Sequence, residues 1–276
     1  MERPGYVGGG GLPLTKRADR ISVDGKRKAA KERNEGRENI MLKIENLTKT
    51  FGEKRAVDNL TLSIAPGEIC GFIGHNGAGK TTTIKAVCGL LQFDSGEIYI
   101  DGISVREDPI ACKMRTAYIP DNPDLYEFLS GIKYLNFIAD VYGISADLRQ
   151  ERIRMYSDMF ELTDDLAQPV SAYSHGMKQK LAIISALIHA PRLMVLDEPF
   201  VGLDPKASRD LKTLMRGICD DGGAIFFSTH VLEVAEKLCD RIAVIKSGKL
   251  IAYGDMDEVK GDESLESVFF ELEEEQ

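Results

Sequence analysis

No run of apolar residues in this 276-residue chain approaches the roughly 18 to 20 uninterrupted positions that a membrane-crossing helix needs. The best candidate, Leu181 to Leu196, is broken by His189, Pro191 and Arg192. A secretory signal is missing too, because Gly8 to Gly11 and the charged run Lys26 to Arg37 leave no apolar centre near the N-terminus. These absences imply a cytoplasmic protein. Cysteine is sparse: Cys70, Cys88, Cys112, Cys219 and Cys239 are scattered, with no paired spacing of the zinc or redox kind, so reduced, buried thiols are expected. Basic residues are outnumbered, 35 against 44 acidic, for a net charge of -9. That balance lacks the basic footprint of a nucleic-acid binder, and no nucleic-acid partner is expected. Internal repeats and coiled-coil heptads are also missing.

What is present suits a globular domain. At 43% hydrophobic and 29% charged residues, the collagenous, disulfide-dense and wholly disordered classes drop out. The charge is unevenly spread: residues 1–40 hold ten Lys/Arg and six Asp/Glu, so the remainder is strongly acidic. The first stretch has a Gly cluster and almost no periodic apolar pattern, which predicts a disordered basic extension over 1–40. At Met41 the pattern changes to Met-Leu-Lys-Ile-Glu-Asn-Leu, a half-buried strand, so a folded domain is expected over 41–276. A methionine at that boundary suggests that translation starts there and that the leader is a misassigned start.

Further strands are predicted at Val57 to Ile64, Glu68 to Ile73 and Glu97 to Ile100, the last ending in the tight-turn pair Asp101-Gly102. A mainly helical stretch covers about 122–190, with Ser130 expected to cap Gly131 to Tyr142 and helical spacing over Leu148 to Leu162. Strands and helices then alternate: Leu193 to Leu196, a helix from Pro205, Ala224 to Ser228, a helix from Val231, and Arg241 to Ile245. That alternation predicts an α/β fold whose parallel sheet is covered by helices.

The strongest local signal is Gly74-His75-Asn76-Gly77-Ala78-Gly79-Lys80-Thr81-Thr82, directly after the apolar strand Ile69 to Ile73. It has the form of a phosphate-binding P-loop. Glycines let the chain turn so that successive N–H groups face a phosphate, and the following helix adds its positive N-terminal end. Lys80 is placed to reach the β- and γ-phosphates, the Thr81 hydroxyl to ligate Mg2+, and Thr82 to donate next. His75 and Asn76 read as loop positions that supply backbone only.

A P-loop needs an acidic partner, because Mg2+ takes oxygen ligands and keeps several waters. Leu193-Met194-Val195-Leu196-Asp197-Glu198 supplies it, with two carboxylates at the C-terminal end of a buried strand. Asp197 is expected to hold the metal through water, and Glu198 to orient and deprotonate the attacking water.

With these elements in place, the chain from Met41 to Gln276 resembles the ATP-binding subunit of ABC transporters, most like the prokaryotic multidrug and antibiotic-exporter group. The diagnostic stretch Tyr173-Ser174-His175-Gly176-Met177 resembles the family signature Leu-Ser-Gly-Gly-Gln, with His175 and Met177 departing from it. The resemblance implies a P-loop NTPase fold with a mainly parallel core sheet, an N-terminal antiparallel β subdomain and an inserted helical subdomain. It further implies ATP and Mg2+ as ligands, with Ser174 and Gly176 reaching the ATP of a second subunit in trans. Asp204, in Gly202-Leu203-Asp204, takes the place of the residue that contacts the partner, and His230 that of the switch histidine. Phe51 is implied to stack on adenine with Val57 beside it, a core role being the other reading of Phe51. His189 reads as structural.

One departure bears on catalysis. Ala117-Tyr118-Ile119-Pro120-Asp121 aligns with the family's Q-loop and puts Asp121 where a glutamine reaches the metal and water. Aspartate is shorter and anionic; it can ligate a metal but cannot donate a hydrogen bond when ionised. The resemblance implies two subunits closing over two ATP molecules to drive a separate membrane permease, at the cytoplasmic face of the membrane. Residues 122–129 lie where the family receives that permease, although Tyr126 and Phe128 also read as core. The rival reading is a soluble ABC ATPase acting on ribosomes or DNA, whose usual second cassette, coiled coil or zinc cysteines are missing from this sequence.

Overall fold

The computed structural model describes residues 40–274, with side chains to Glu271. The basic extension expected over 1–40 and the start expected at Met41 therefore concern a leader outside the described residues, Ile40 apart.

Two sheets organise the domain. The first is antiparallel, in the order β2 (Lys54–Ile64), β1 (Leu42–Phe51), β4 (Ser95–Ile100), β5 (Ile103–Ser104). Asp101 (φ 51°) and Gly102 (φ 75°) form the left-handed turn between β4 and β5, as the Asp-Gly pair predicts. The second has the order β10 (Lys249–Asp255), β9 (Arg241–Lys246), β3 (Ile69–Ile73), β8 (Ala224–Thr229), β7 (Leu193–Asp197), β6 (Thr116–Ile119). Its four pairings from β9 to β6 run parallel, and β10 closes the edge antiparallel.

The parallel strands read as unbroken apolar runs because both of their faces are covered. Period-two alternation divides their side chains between two cores. Ile69, Ile73, Met194, Leu196, Ile225, Phe227, Ile242 and Val244 join one cluster. Cys70, Phe72, Leu193, Val195, Phe226, Ala243 and Ile245 join the other, together with the inner face of the antiparallel sheet. All five cysteines are free and buried, and burial pushes the Cys70 and Cys219 thiols up to about 12.

The helices are α1 (Lys80–Val87), α2 (Pro109–Arg115), α3 (Gly131–Val141), α4 (Ala146–Met159), α5 (His175–Leu187), α6 (Pro205–Asp220), α7 (Leu232–Leu238), α8 (Met256–Lys260) and α9 (Leu265–Glu274). Between β6 and β7 the regular structure is helical, formed by α3, α4, α5 and two short 3-10 turns. Helix α6 lays Ala207, Leu211, Met215 and Cys219, a four-residue repeat, against the core. Its start is fixed by Asp204, which accepts from the Ala207 N–H at 2.8 Å, and by Pro205 in the first turn.

Two local expectations are corrected. Ser130 is the N-cap residue of α3, but its side chain makes no capping bond. The Gly131 and Ile132 N–H groups instead donate to the Gln168 and Leu166 carbonyls, so neighbouring backbone does the work of the serine. The helix read over Leu148 to Leu162 ends at Met159, and Glu161 takes a left-handed conformation (φ 53°) that terminates it.

Candidate functional site

The P-loop leaves β3 and opens α1 at the C-terminal edge of the parallel sheet. Gly74 passes so close to β9 that a Cβ there would lie 2.3 Å from the Ile245 carbonyl oxygen. Gly79, the N-cap of α1, has φ 116°, and a Cβ would lie 2.5 Å from the Ala56 carbonyl oxygen. Glycine is therefore required at both positions, by close approach at one and by backbone conformation as well at the other.

These loops bound an open pocket of about 320 Å³. It is lined by His75, Asn76, Gly77, Gly79, Lys80, Thr81 and Thr82 from the P-loop and α1, by Asp197 and Glu198 from the end of β7, and by Asp121 after β6. Phe51, Lys54 and Ala56 line its outer side. Gly74 and Ala78 belong to the loop without lining this pocket. Phe51 is 51% exposed with Lys49 Nζ 5.1 Å from its ring centre, so it is not a core residue. Val57 is corrected: its side chain is fully buried in the antiparallel-sheet core, and Ala56 occupies the pocket wall. Adjacent strand residues face opposite ways, so a one-residue difference exchanges core for pocket.

Lys80 Nζ donates to the Gly74 carbonyl at 2.5 Å and to that of His75 at 3.4 Å. It also lies 4.0 Å from Glu198 Oε1. Burial holds its ammonium below the ordinary lysine range, opposed by the carboxylates of Glu198 and Asp197. Asp197 is only 4% exposed, and Ser228 Oγ donates to its Oδ1 at 2.5 Å. The same Ser228 hydroxyl accepts from the Glu198 N–H at 3.1 Å. Glu198 has φ 50°, uncommon for a residue with a side chain and costing roughly 1 kcal/mol or more. This kink turns its carboxylate towards His230, whose Nδ1 lies 3.0 Å from Glu198 Oε2. The Thr81 hydroxyl and the Asp197 carboxylate are hard oxygen donors of the kind Mg2+ takes, so the residues present fit that ion.

Ser174 and Gly176 do not line this pocket. Ser174 caps α5, its Oγ accepting from the Met177 N–H at 3.3 Å. Gly176 packs against the next loop, where a Cβ would meet the Gly202 carbonyl oxygen at 2.8 Å, and a Cβ on Gly202 would meet His175 Cδ2 at 2.4 Å. Asp204, expected at a partner's site, is engaged within its own chain by Ala207 N–H and by Lys180 Nζ at 2.7 Å. Its carboxyl is held below the usual range, first by the Ala207 N–H and then by Lys180. His189 stacks on Tyr142 at 3.8 Å and accepts its structural reading.

Ser228, Lys54 and Ala56 are site residues the sequence reading did not single out. A Ser-Thr-His strand end one strand away from Asp197 is a weak signal, and only the parallel register Asp197 opposite Ser228 brings the two together.

Residues 57–201 match the family of ABC transporter domains. The chain belongs to that family. The linearmycin resistance ATP-binding protein LnrL of Bacillus subtilis (strain 168) is 33% identical over 214 residues, covering 78% of this chain and 69% of that protein. A solved ATP-binding subunit of an ABC transporter superposes with a TM-score of 0.82 at 33% identity, covering 85% of this chain and 100% of that one. A dimeric ATP-binding cassette in a post-hydrolysis state, bound to ADP and Pi, has a TM-score of 0.71 at 26% identity, covering 78% of this chain and 99% of that one. This ABC protein is accordingly an ATP-binding subunit and an ATPase. Among the described residues no helix is long and apolar enough to cross a membrane.

Proposed function

We propose that this ABC subunit hydrolyses ATP at the interface of two subunits and thereby powers export of a substrate through a separate membrane permease, at the cytoplasmic face of the membrane. The observation that carries the proposal is the Lys80, Glu198 and His230 cluster. One Glu198 oxygen lies 3.0 Å from His230 Nδ1 and the other 4.0 Å from Lys80 Nζ, beside a phosphate-binding loop.

In this reading ATP lies with its phosphates along the N–H groups of Gly77 to Thr82 and its base against Phe51. Lys80 holds the β- and γ-phosphates. Glu198 orients water for in-line attack on the γ-phosphorus and takes its proton, while His230 keeps the carboxylate aimed. Thr81 and Asp197, the latter through water, would hold Mg2+, with Asp121 a further carboxylate at the rim. Bound there, the ion would neutralise charge on the phosphates. The bond from γ-phosphorus to the bridging oxygen breaks, ADP leaves with that electron pair, and Pi carries the water oxygen.

Ser174 and Gly176 lie outside the pocket of their own chain, which supports their acting on the ATP of a second copy. Support for a membrane partner comes from an exposed aromatic group on the helical segment. Phe128 is 82% exposed, and Tyr126 contacts Phe128 and Phe137 at ring distances of 5.9 and 5.5 Å. Aromatic surface of this kind favours a protein contact. The resistance function named for LnrL supports export.

Phosphate release separates the roles. Glu198→Gln should bind ATP yet hydrolyse it at least about 100-fold more slowly, the scale of a lost general base, and Lys80→Ala should lose ATP binding. Turnover by Glu198→Gln within about tenfold of the unsubstituted chain would contradict the assignment.

A further inference from the structure

The nucleotide pocket has a second wall that the catalytic account does not use. His75 borders that pocket on one side and, on the other, a cavity of about 370 Å³. The far side of this cavity is formed by Phe269 and Phe270 of α9, and its flank by His230, Val231 and Leu232. Phe269 meets the His75 ring edge-on at 5.2 Å, with 64° between the planes. Helix α9 is anchored there by its buried residues Leu265 and Phe269, the latter only 5% exposed, and packs against α7 and α8. It therefore leans on both segments that face the γ-phosphate, the P-loop and the segment carrying His230.

We propose that Phe269 is a positioning residue for ATP: through His75 it holds the P-loop in the conformation that binds phosphate. The link is short. The His75 carbonyl accepts from Lys80 Nζ at 3.4 Å, so a shift of His75 displaces an acceptor that orients the ammonium. An edge-to-face aromatic pair has the strength to shift a binding equilibrium about three- to tenfold. Coupling of this kind is reciprocal, so ATP must favour the seating of α9 by the factor with which seated α9 favours ATP. Among the described side chains of α9, Leu265 and Phe269 are the buried anchors, so a bias on its seating acts through them and is measurable.

The inference rests on the reading of the P-loop as the ATP site, and the controls keep the two apart. In equilibrium titrations of the full chain with ATP, Phe269→Ala should raise Kd about three- to tenfold, and KM for ATP likewise, with kcat at saturating ATP within about twofold. Phe269→Tyr, which keeps the ring, should restore the affinity. His75→Ala should weaken ATP by a similar factor, and the double variant should be no weaker than either single one. ATP should slow amide hydrogen exchange over 265–274 in the unsubstituted chain and not in His75→Ala. An unchanged Kd in Phe269→Ala, or additive losses in the double variant, would overturn the proposal while loss of binding in Lys80→Ala keeps the ATP site. Unaltered ATP binding by Lys80→Ala would overturn both.

Discussion

Asp197 and Glu198 are neighbours in sequence yet occupy different environments. Asp197 ends β7 inside the sheet, buried and bonded to Ser228, whereas the left-handed backbone of Glu198 turns the next carboxylate to the pocket between Lys80 and His230. Two adjacent carboxylates thus receive two environments from one backbone kink. Asp121 is exposed at the rim of the same pocket. With Glu198 and His230 in place, Asp121→Gln should preserve or raise ATPase activity. A loss greater than about tenfold, roughly 1.4 kcal/mol, would mean that the Asp121 carboxylate itself is needed for the chemistry. His189 supplies a test of the fold. Burial lowers its pKa to about 4, while the Thr116 carbonyl beside its Nε2 opposes the shift. The unfolded chain, with a histidine pKa of about 6.5, then binds the extra proton between about pH 6.5 and 4. Stability is full above that window and falls as pH drops through it. Denaturant unfolding at pH 7 and 4.5 should show His189→Gln losing about 2 kcal/mol less than the unsubstituted chain over that interval. An identical pH dependence in the two proteins would refute the assignment.

At the scale of elements, the site depends on how tightly the P-loop is seated between strands. Gly74→Ala sets a methyl group 2.3 Å from backbone of β9, which cannot rotate aside as a side chain can. It should destabilise the domain by about 2 kcal/mol or more and abolish ATP binding, read by thermal unfolding and nucleotide titration. Wild-type affinity would mean that the loop is not seated as described. The strands that carry the site were legible because parallel strands buried on both faces are short apolar runs bounded by turns. The motif loops follow those strands, so Lys80, Asp197 and Glu198 could be placed by motif and position, whereas His230 was implied by the family resemblance. What escaped was set by pairing and packing. Strand β10 lies at a sheet edge with partly exposed residues, and its only local signal is the left-handed Ser247-Gly248 turn (φ 48° and 84°) that joins it to β9. Helix α2 exposes Ile110 and Met114, so its apolar residues do not trace a buried stripe. Val57 and Ala56 exchanged roles because the β1–β2 pairing shifts register on either side of Lys49. The contact of α9 with His75 joins residues nearly two hundred positions apart, and no local pattern announces it.

For the molecule as a whole, the phosphate loop with its acidic strand end and the signature segment stand on different parts of one chain. The P-loop pocket collects Lys80, Asp197 and Glu198, while outside it Ser174 caps α5 and Gly176 abuts Gly202. In the proposed reading a single copy supplies each half of a composite site without bringing the halves together, and two copies facing each other would complete two sites. The related cassette solved with ADP and Pi is dimeric. On that proposal, release of the dimer after hydrolysis would be the event that a membrane partner feels, and blocking hydrolysis should trap the closed pair. Sedimentation of Glu198→Gln with and without Mg-ATP tests this claim most directly. The account predicts a monomer without nucleotide and a stable dimer with it, while the unsubstituted chain returns to monomer as ATP is consumed. Glu198→Gln that binds Mg-ATP yet sediments as a monomer would contradict it.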